Sequence, residues 1–259
     1  MKRVLTALVL IPIVVWVVLF ADWRVFLAVL LSVACLCYRE YDQIAAGYGF
    51  GAPGVLGYGA GAMLLVSWGI PWAVPWIAVV GIVLVALVMV MRDQDLAHAL
   101  PRAALLVTGI LYVFGCWTCA LPLRELDAHW LMYGLMVSWV GDIGAYYIGR
   151  PFGKHKLAPQ ISPNKSWEGS IASVFTSTLL GSLYLLRFLP NVPWWQAVAL
   201  SAAANIAGQL GDLAESAMKR GAHVKDSGAL LPGHGGFLDR VDSTLFALPL
   251  IYAYLKLAA

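Results

Sequence analysis

The residues best suited to chemistry lie in one polar run between two apolar segments, from about residue 212 to residue 242. Asp239 and Asp242 stand three apart where the last apolar segment opens, so a helix there presents both carboxylates on one face. Mg²⁺ takes hard oxygen ligands of this kind, usually one or two carboxylates together with substrate phosphates. The run also holds four basic residues suited to phosphate oxygens, Lys219, Arg220, Lys225 and Arg240. These types and spacings predict a site for a phosphate-bearing substrate and Mg²⁺.

Glycines around His234 strengthen the prediction of an anion site. Gly233, Gly235 and Gly236 let a backbone approach an anion closely, and the exposed N–H groups of the helix that follows suit a phosphate. His234 has no Cys or second His at zinc-ligand spacing, so we interpret it as a phosphate donor or a residue that orients the loop. A solvated basic loop would explain the lysines, but neither the carboxylates nor the glycines.

Three further acids, Asp142, Asp212 and Glu215, lie inside apolar segments, where a membrane penalises charge. The alternative to a functional role is an ion pair that stabilises helix packing. That alternative suits Glu215, since Lys219 follows one helical turn later. It suits Asp142 and Asp212 poorly, because no basic residue lies within one turn of either. We therefore expect those two to face the interior of the helix bundle and to take part in the site.

A second polar segment, residues 150–168, precedes another apolar stretch and is rich in Pro, Gly and basic residues. Ser162, Asn164 and Lys165 supply hydrogen-bond donors on a loop stiffened by prolines. Basic residues at the edge of a membrane suit a lipid phosphate headgroup. We expect this loop and Asp142 to belong to the same pocket as the run from residue 212 to residue 242.

The elements that must position these residues are membrane helices. Of the 259 residues 61% are hydrophobic and only 12% charged, with a mean hydropathy of +0.79, whereas soluble domains are about a quarter charged. About 20 apolar residues span the hydrocarbon core. The chain offers about nine candidates, at residues 4–20, 25–38, 53–70, 74–91, 103–121, 130–149, 169–188, 194–218 and 241–257. The prediction is an all-α polytopic membrane protein, divided into N-terminal helices (1–129) and a C-terminal catalytic part (130–259).

Basic residues predict the orientation of these helices. A cytoplasmic N-terminus places thirteen of the 17 Lys and Arg residues inside and leaves four outside, Arg24, Arg124, Arg187 and Lys256. The loops at 150–168 and 219–240 are then cytoplasmic, and the C-terminus lies on the opposite side. The net charge of +3 gives no indication of a nucleic-acid partner. The four cysteines lie in apolar runs and are interpreted as small buried hydrophobes rather than zinc ligands.

The polar run resembles the signature of the phosphatidate cytidylyltransferases, also called CDP-diacylglycerol synthases. The matching residues are Ser216-x-x-Lys219-Arg220, Lys225-Asp226, His234-Gly235-Gly236 and Asp239-Arg240-x-Asp242. A second segment also matches, with Asp142, Tyr146, Gly149-Arg150, Phe152-Gly153 and the run from Ser162 to Gly169. Together these cover the C-terminal half, whereas the first 130 residues match only in being helical.

The resemblance implies that CTP and phosphatidic acid react to CDP-diacylglycerol and pyrophosphate, in phospholipid biosynthesis. It implies Mg²⁺ as cofactor, leaving open a second metal ion, an inner-membrane location with a cytoplasmic site, and a homodimer. By this resemblance Lys219, Asp239 and Asp212 are catalytic, and the metal ligands are Asp212, Asp239, Asp242 and Asp142. The substrate and nucleotide contacts are Arg220, Lys225, Asp226, His234, Gly235, Gly236, Arg240, Ser162, Asn164 and Lys165.

Two other functions remain open. A CTP-dependent lipid or polyprenol kinase would share a CTP and Mg²⁺ site but transfer the terminal phosphoryl group. A secondary transporter would use Asp142 and Asp212 as coupling-ion ligands near the membrane midplane. The concentration of polar groups at one face favours the transferase. Its chemistry needs no Ser, Cys or His nucleophile, because a phosphate monoester is already nucleophilic at neutral pH.

Overall fold

The computed structural model describes residues 2–50, 54–67, 73–230 and 235–258. Helices dominate, which confirms the predicted helical class. In chain order they are α1 (Lys2–Leu19), α2 (Trp23–Ala46), α3 (Val55–Val66), α4 (Ala73–Arg92), α5 (Leu96–Gly109), α6 (Cys116–Thr118), α7 (Ala120–Leu126), α8 (Ala128–Phe152), α9 (Trp167–Phe188), α10 (Trp194–Gly221) and α11 (Leu238–Ala258). A π-helical turn, Ile110–Gly115, joins α5 to α6.

Two helical runs in the described part of the chain are long and apolar enough to cross a membrane, Leu96–Leu126 and Trp167–Phe188. Shorter apolar helices occur at Leu8–Leu19, Val55–Val66 and Ile77–Arg92. On α9 a stripe of large apolar side chains, Ile171, Phe175, Leu179 and Leu183, is exposed at four-residue spacing. An exposed apolar stripe of this kind is typical of a surface that meets lipid or another protein. The count of nine spans and the orientation of the termini stay predictions.

The chain forms two compact units. Unit 1 comprises Met1–Val17, Ala21–Pro122 and Met218–Arg240, and unit 2 comprises Val18–Phe20, Leu123–Ala217 and Val241–Ala259. The polar segment after α10 thus packs with the N-terminal helices, although it is distant from them in sequence. The functional division at residue 130 stays a prediction.

In unit 1, α2 is held by aromatic packing against glycines. Its Tyr38 ring lies 5.4 Å from that of Phe114, centroid to centroid. A Cβ at Gly57 of α3 would fall 1.6 Å from the Tyr38 hydroxyl, and one at Gly61 would fall 2.1 Å from the Phe114 ring. Interiors packed this closely leave side chains little room to move. The buried face of α2 is therefore held in a fixed position by close packing.

In unit 2, a buried polar network joins α8, α9 and α10. Asn205 donates to Ser173 Oγ at 3.0 Å and to Ser177 Oγ at 2.9 Å, and Ser177 donates to the Val137 carbonyl at 2.8 Å. A Cβ at Gly141 would lie 2.2 Å from the Asn205 amide nitrogen, so only glycine admits the network there. Polar side chains of this type hold helices together where water is absent.

The segment between α8 and α9 is more ordered than the predicted loop. It forms an antiparallel hairpin of β1 (Lys156–Ala158) and β2 (Ser162–Ser166), so the purely α-helical prediction is corrected here. Ser166 ends β2 and caps α9, since its hydroxyl accepts from the Gly169 N–H at 3.2 Å. The cap fixes where β2 stands relative to the start of α9.

Candidate active site

A buried ion pair forms the centre of the polar segment of unit 1. Lys219, in the last turn of α10, donates to Asp239 Oδ1 at 2.5 Å. The two side chains are 10% and 5% exposed. His223, two residues after the end of α10, is in the left-handed region at φ 60°, and the Val224 N–H donates to the Lys219 carbonyl. The chain reversal that follows brings Asp239, at the start of α11, to Lys219.

The second carboxylate oxygen of Asp239 holds the loop itself. It accepts from the Ser227 N–H at 3.0 Å and from the Gly236 N–H at 2.9 Å. Burial opposes the charge of Asp239, but hydrogen bonds from Lys219, Gly236 and Ser227, with the lysine charge, hold the pKa of that carboxyl below its ordinary value. Asp239 therefore carries a full negative charge at neutral pH.

The glycine loop is partly described. Gly235 has φ +77°, a conformation that glycine adopts without strain, and a Cβ there would lie 2.6 Å from Asp239 Oδ2. Gly236 is buried beside the same carboxylate. Gly233 and His234 lie outside the described residues, so their predicted roles stay predictions.

The N–H groups at the start of α11 are engaged within the protein, which corrects the prediction that they are exposed for a phosphate. Phe237 and Leu238 donate to the carboxylate of Glu40, at 3.0 and 2.8 Å, and Asp239 donates to Ser227 Oγ at 3.3 Å. The Glu40 carboxylate thus satisfies the Phe237 and Leu238 N–H groups. Its negative charge also offsets the partial positive charge at the N-terminus of α11. Glu40 was missed from sequence; the available signal was an acid placed just after a predicted apolar span.

The other predicted phosphate contacts of unit 1 lie at its surface. Arg220, Lys225, Asp226 and Arg240 are all exposed. Arg220 donates to the Val224 carbonyl at 3.1 Å, which holds its side chain over the turn. Exposed cations around a buried pair suit a polyanionic ligand that arrives from solution.

In unit 2, Lys165 of β2 forms an ion pair with Asp212 of α10. The basic partner that was missing near Asp212 in sequence is thus supplied by the hairpin. Ser216 Oγ donates to Asp212 at 3.4 Å from one turn further along. Ser162 is half-buried and Asn164 is exposed on the same strand as Lys165.

Asp242, on α11, is a buried member of the predicted metal ligands, with 8% of the whole residue exposed. Its carboxyl lies within electrostatic range of Asp212, Glu215 and Asp142 in the same unit. Asp142 is exposed, so the prediction that it faces the bundle interior is wrong; the buried residue at that turn is Gly141, against Asn205. Like charges at short range disfavour one another, so carboxyl groups placed in this way suit a bound cation or a retained proton.

The carboxylates fit Mg²⁺ in ligand type but are not assembled around an ion. The described residues contain no group of three or more His, Cys, Asp or Glu side chains in metal-ligand arrangement. Asp212 and Asp239 are each neutralised by a lysine instead. Mg²⁺ is commonly held by one or two carboxylates together with substrate phosphates and water, so a full set of protein ligands is not needed.

Comparison with known proteins decides the family. A model described as the cytidylyltransferase family matches residues 1–258. This chain belongs to the cytidylyltransferase family. Phosphatidate cytidylyltransferase of Staphylococcus aureus (strain COL) is 42% identical to it over 160 residues, which is 61% of this chain and 58% of that protein. The Bacillus subtilis (strain 168) protein of the same name is 41% identical over 150 residues, 57% of this chain and 56% of its own. The match therefore spans little more than half the length of these relatives.

Proposed function

We propose that this chain is a CTP:phosphatidate cytidylyltransferase, which makes CDP-diacylglycerol for phospholipid biosynthesis. Its membership of the cytidylyltransferase family across residues 1–258 carries the proposal. Relatives named phosphatidate cytidylyltransferase support the lipid substrate. The buried Lys219–Asp239 pair, with exposed cations beside it, supports a site for a triphosphate.

The proposed reaction is a substitution at the α-phosphorus of CTP. A phosphate oxygen of phosphatidate forms the new bond to that phosphorus, and the bond to the oxygen bridging to the β-phosphorus breaks. Pyrophosphate leaves with the electron pair of that bond. No side chain has to form a covalent intermediate, so the protein supplies orientation and charge neutralisation.

Lys219 and Lys165 are the residues that we assign to neutralisation. Lys219 forms an ion pair with Asp239, and Lys165 forms one with Asp212. A phosphate oxygen accepts from an ammonium group as a carboxylate oxygen does. Each lysine can therefore transfer its hydrogen bond from the carboxylate to a substrate phosphate.

We propose Mg²⁺ ligands in each unit separately: Asp239 in unit 1, and Asp212 with Asp242 and Asp142 in unit 2. When bound, the ion would neutralise charge on the triphosphate and on departing pyrophosphate. Asp242 is buried and within electrostatic range of Asp212, so its charged form would be favoured only once a cation is bound.

The proposed location is integral to the cell inner membrane, with the active site on the cytoplasmic side and the chain in a homodimer. Two apolar helical runs and the exposed apolar stripe of α9 support a membrane protein. A site near the headgroup level would let a bilayer lipid meet a cytosolic nucleotide.

Label transfer from CTP tests the proposal. Purified protein is mixed with phosphatidate in detergent micelles and with CTP labelled on either the α- or the γ-phosphorus. We expect α-label in the lipid product and γ-label in pyrophosphate, with turnover lost in EDTA and restored by Mg²⁺. No label in lipid with phosphatidate would refute the cytidylyltransferase. A parallel mixture with diacylglycerol or a polyprenol as acceptor tests the kinase, which would be identified by γ-label in lipid. Asp95→Asn alters an exposed carboxylate at the start of α5 and is the matched control for Asp239→Asn, which should lose label transfer.

A further inference from the structure

We infer that Glu40 of α2 is a positioning residue for the Lys219–Asp239 pair. The inference rests on the proposed function, because it assigns Glu40 an effect on turnover. Glu40 is 1% exposed and lies almost 200 residues before the loop that it holds. A carboxylate so deeply buried is expensive unless its oxygens are fully used.

The Glu40 carboxylate accepts three hydrogen bonds from that loop. Oε1 accepts from the Phe237 N–H at 3.0 Å, and Oε2 accepts from the Leu238 N–H at 2.8 Å and from Ser227 Oγ at 2.8 Å. These N–H groups belong to the residue just before α11 and to its first residue, and no carbonyl within the helix can satisfy them. Glu40 thus caps α11 from another helix and sets where its first turn begins.

Ser227 links Glu40 to Asp239 directly. Its hydroxyl donates to Glu40 and accepts from the Asp239 N–H, while its own N–H donates to Asp239 Oδ2. One buried residue therefore contacts both carboxylates. A shift of Glu40 moves Ser227, and with it the oxygen atoms that Asp239 presents to Lys219.

The loop is shaped around the Glu40 carboxylate. A Cβ at Gly228 would lie 2.6 Å from Oε1, and one at Gly236 would lie 2.2 Å from Oε2. Both distances are far below a normal contact, so the two glycines admit the carboxylate from either side. These glycines serve the fit to Glu40, and Gly236 also serves the hydrogen bond to Asp239.

The residues just after α2 also hold the end of α10, which carries Lys219. The Tyr48 hydroxyl, just after α2, donates to the Met218 carbonyl at 3.0 Å. A Cβ at Gly47 would lie 3.0 Å from Ala222, which shows how closely the two chain segments approach. Residues 40–48 thus contact the segments that carry both partners of the ion pair.

The experiment measures kcat and KM for CTP together with the thermal midpoint of each purified variant. Glu40→Gln keeps the shape but turns one acceptor atom into a donor that faces an N–H group or the Ser227 hydroxyl. We expect kcat to fall about 10- to 100-fold, as on loss of supporting residues around a metal site, with KM for CTP changed much less. Asp42→Asn, in the same helix with its carboxylate on the Gly54 N–H, is the control and should keep wild-type kcat.

Ser227→Ala tests the link if Glu40→Gln does not fold. It should lower kcat by a similar factor, and the double variant should lose little more than either single variant, because both act through one contact. A lower thermal midpoint with unchanged kcat per folded molecule would overturn the inference, as would fully multiplicative losses in the double variant. Wild-type protein without turnover would instead overturn the proposed function, and that arm is measured first.

Discussion

The Lys219–Asp239 pair yields the most quantitative prediction, since both side chains are buried and their other contacts are defined. Asp239→Asn keeps one oxygen acceptor. If that oxygen serves the Ser227 and Gly236 N–H groups, the new amide nitrogen faces the ammonium of Lys219. If it serves Lys219, the amide nitrogen faces two N–H donors. Either orientation sets donor against donor in a buried place.

Removal of one partner of a buried ion pair destabilises a protein by about 3–5 kcal/mol. Lys219→Met removes one of three hydrogen bonds to the carboxylate and leaves the two N–H donors in place. We therefore expect a smaller loss for Lys219→Met than for Asp239→Asn. In the double variant the loss should be smaller than the sum, with a coupling energy of about 1–3 kcal/mol.

The assay is equilibrium unfolding in mixed detergent micelles, with turnover measured on the same samples. Activity of Asp239→Asn should fall below about 1% of wild type, a loss of at least ~2.7 kcal/mol in transition-state stabilisation, while the protein remains folded and in the membrane fraction. A coupling energy near zero would refute the ion pair. Near-normal turnover by folded Asp239→Asn would refute its assignment to the active site. Asp95→Asn should change neither quantity.

Three further predictions concern neighbouring residues. Asp212→Asn should reduce turnover more than Glu215→Gln; the reverse order would mean that the structural acid was mistaken for the functional one. Lys165→Met should raise KM or lower kcat at least about tenfold, as loss of a charged phosphate contact does, whereas Lys156→Met on the neighbouring strand should not; equal effects would contradict the assignment. The lowered pKa of Asp239 means that its charge stabilises the folded state at neutral pH and that this contribution is lost as pH falls through the lowered value. Wild type should therefore lose more thermal stability than Asp239→Asn as the pH falls below about 5, and parallel losses would show that Asp239 contributes nothing.

The helical class follows from composition, because apolar segments of near-membrane length with few charges have little alternative to helix. The importance of Lys219 and Asp239 could also be predicted, since both stand in a run whose types and spacing resemble a known signature. Such signals are local: they depend on residues within some 30 positions of one another.

Contacts between distant segments could not be predicted in this way. Lys165 reaches Asp212 only because the segment between α8 and α9 folds into a hairpin, where prolines had indicated a stiff loop. The exposure of Asp142 is decided by the Asn205 network, which takes Gly141 into the interior instead.

Glu40 shows the limit most clearly. Nothing within its own helix distinguishes it from a charge at the end of a membrane segment. Its partners at Ser227, Phe237 and Leu238 become neighbours only when the loop returns to α2. The residues of the polar run, with the chemistry that they suit, were therefore determined by the sequence alone. Whether the N–H groups of α11 meet a phosphate or a carboxylate was decided by the tertiary structure, because a buried N–H group takes whichever acceptor the packing brings to it.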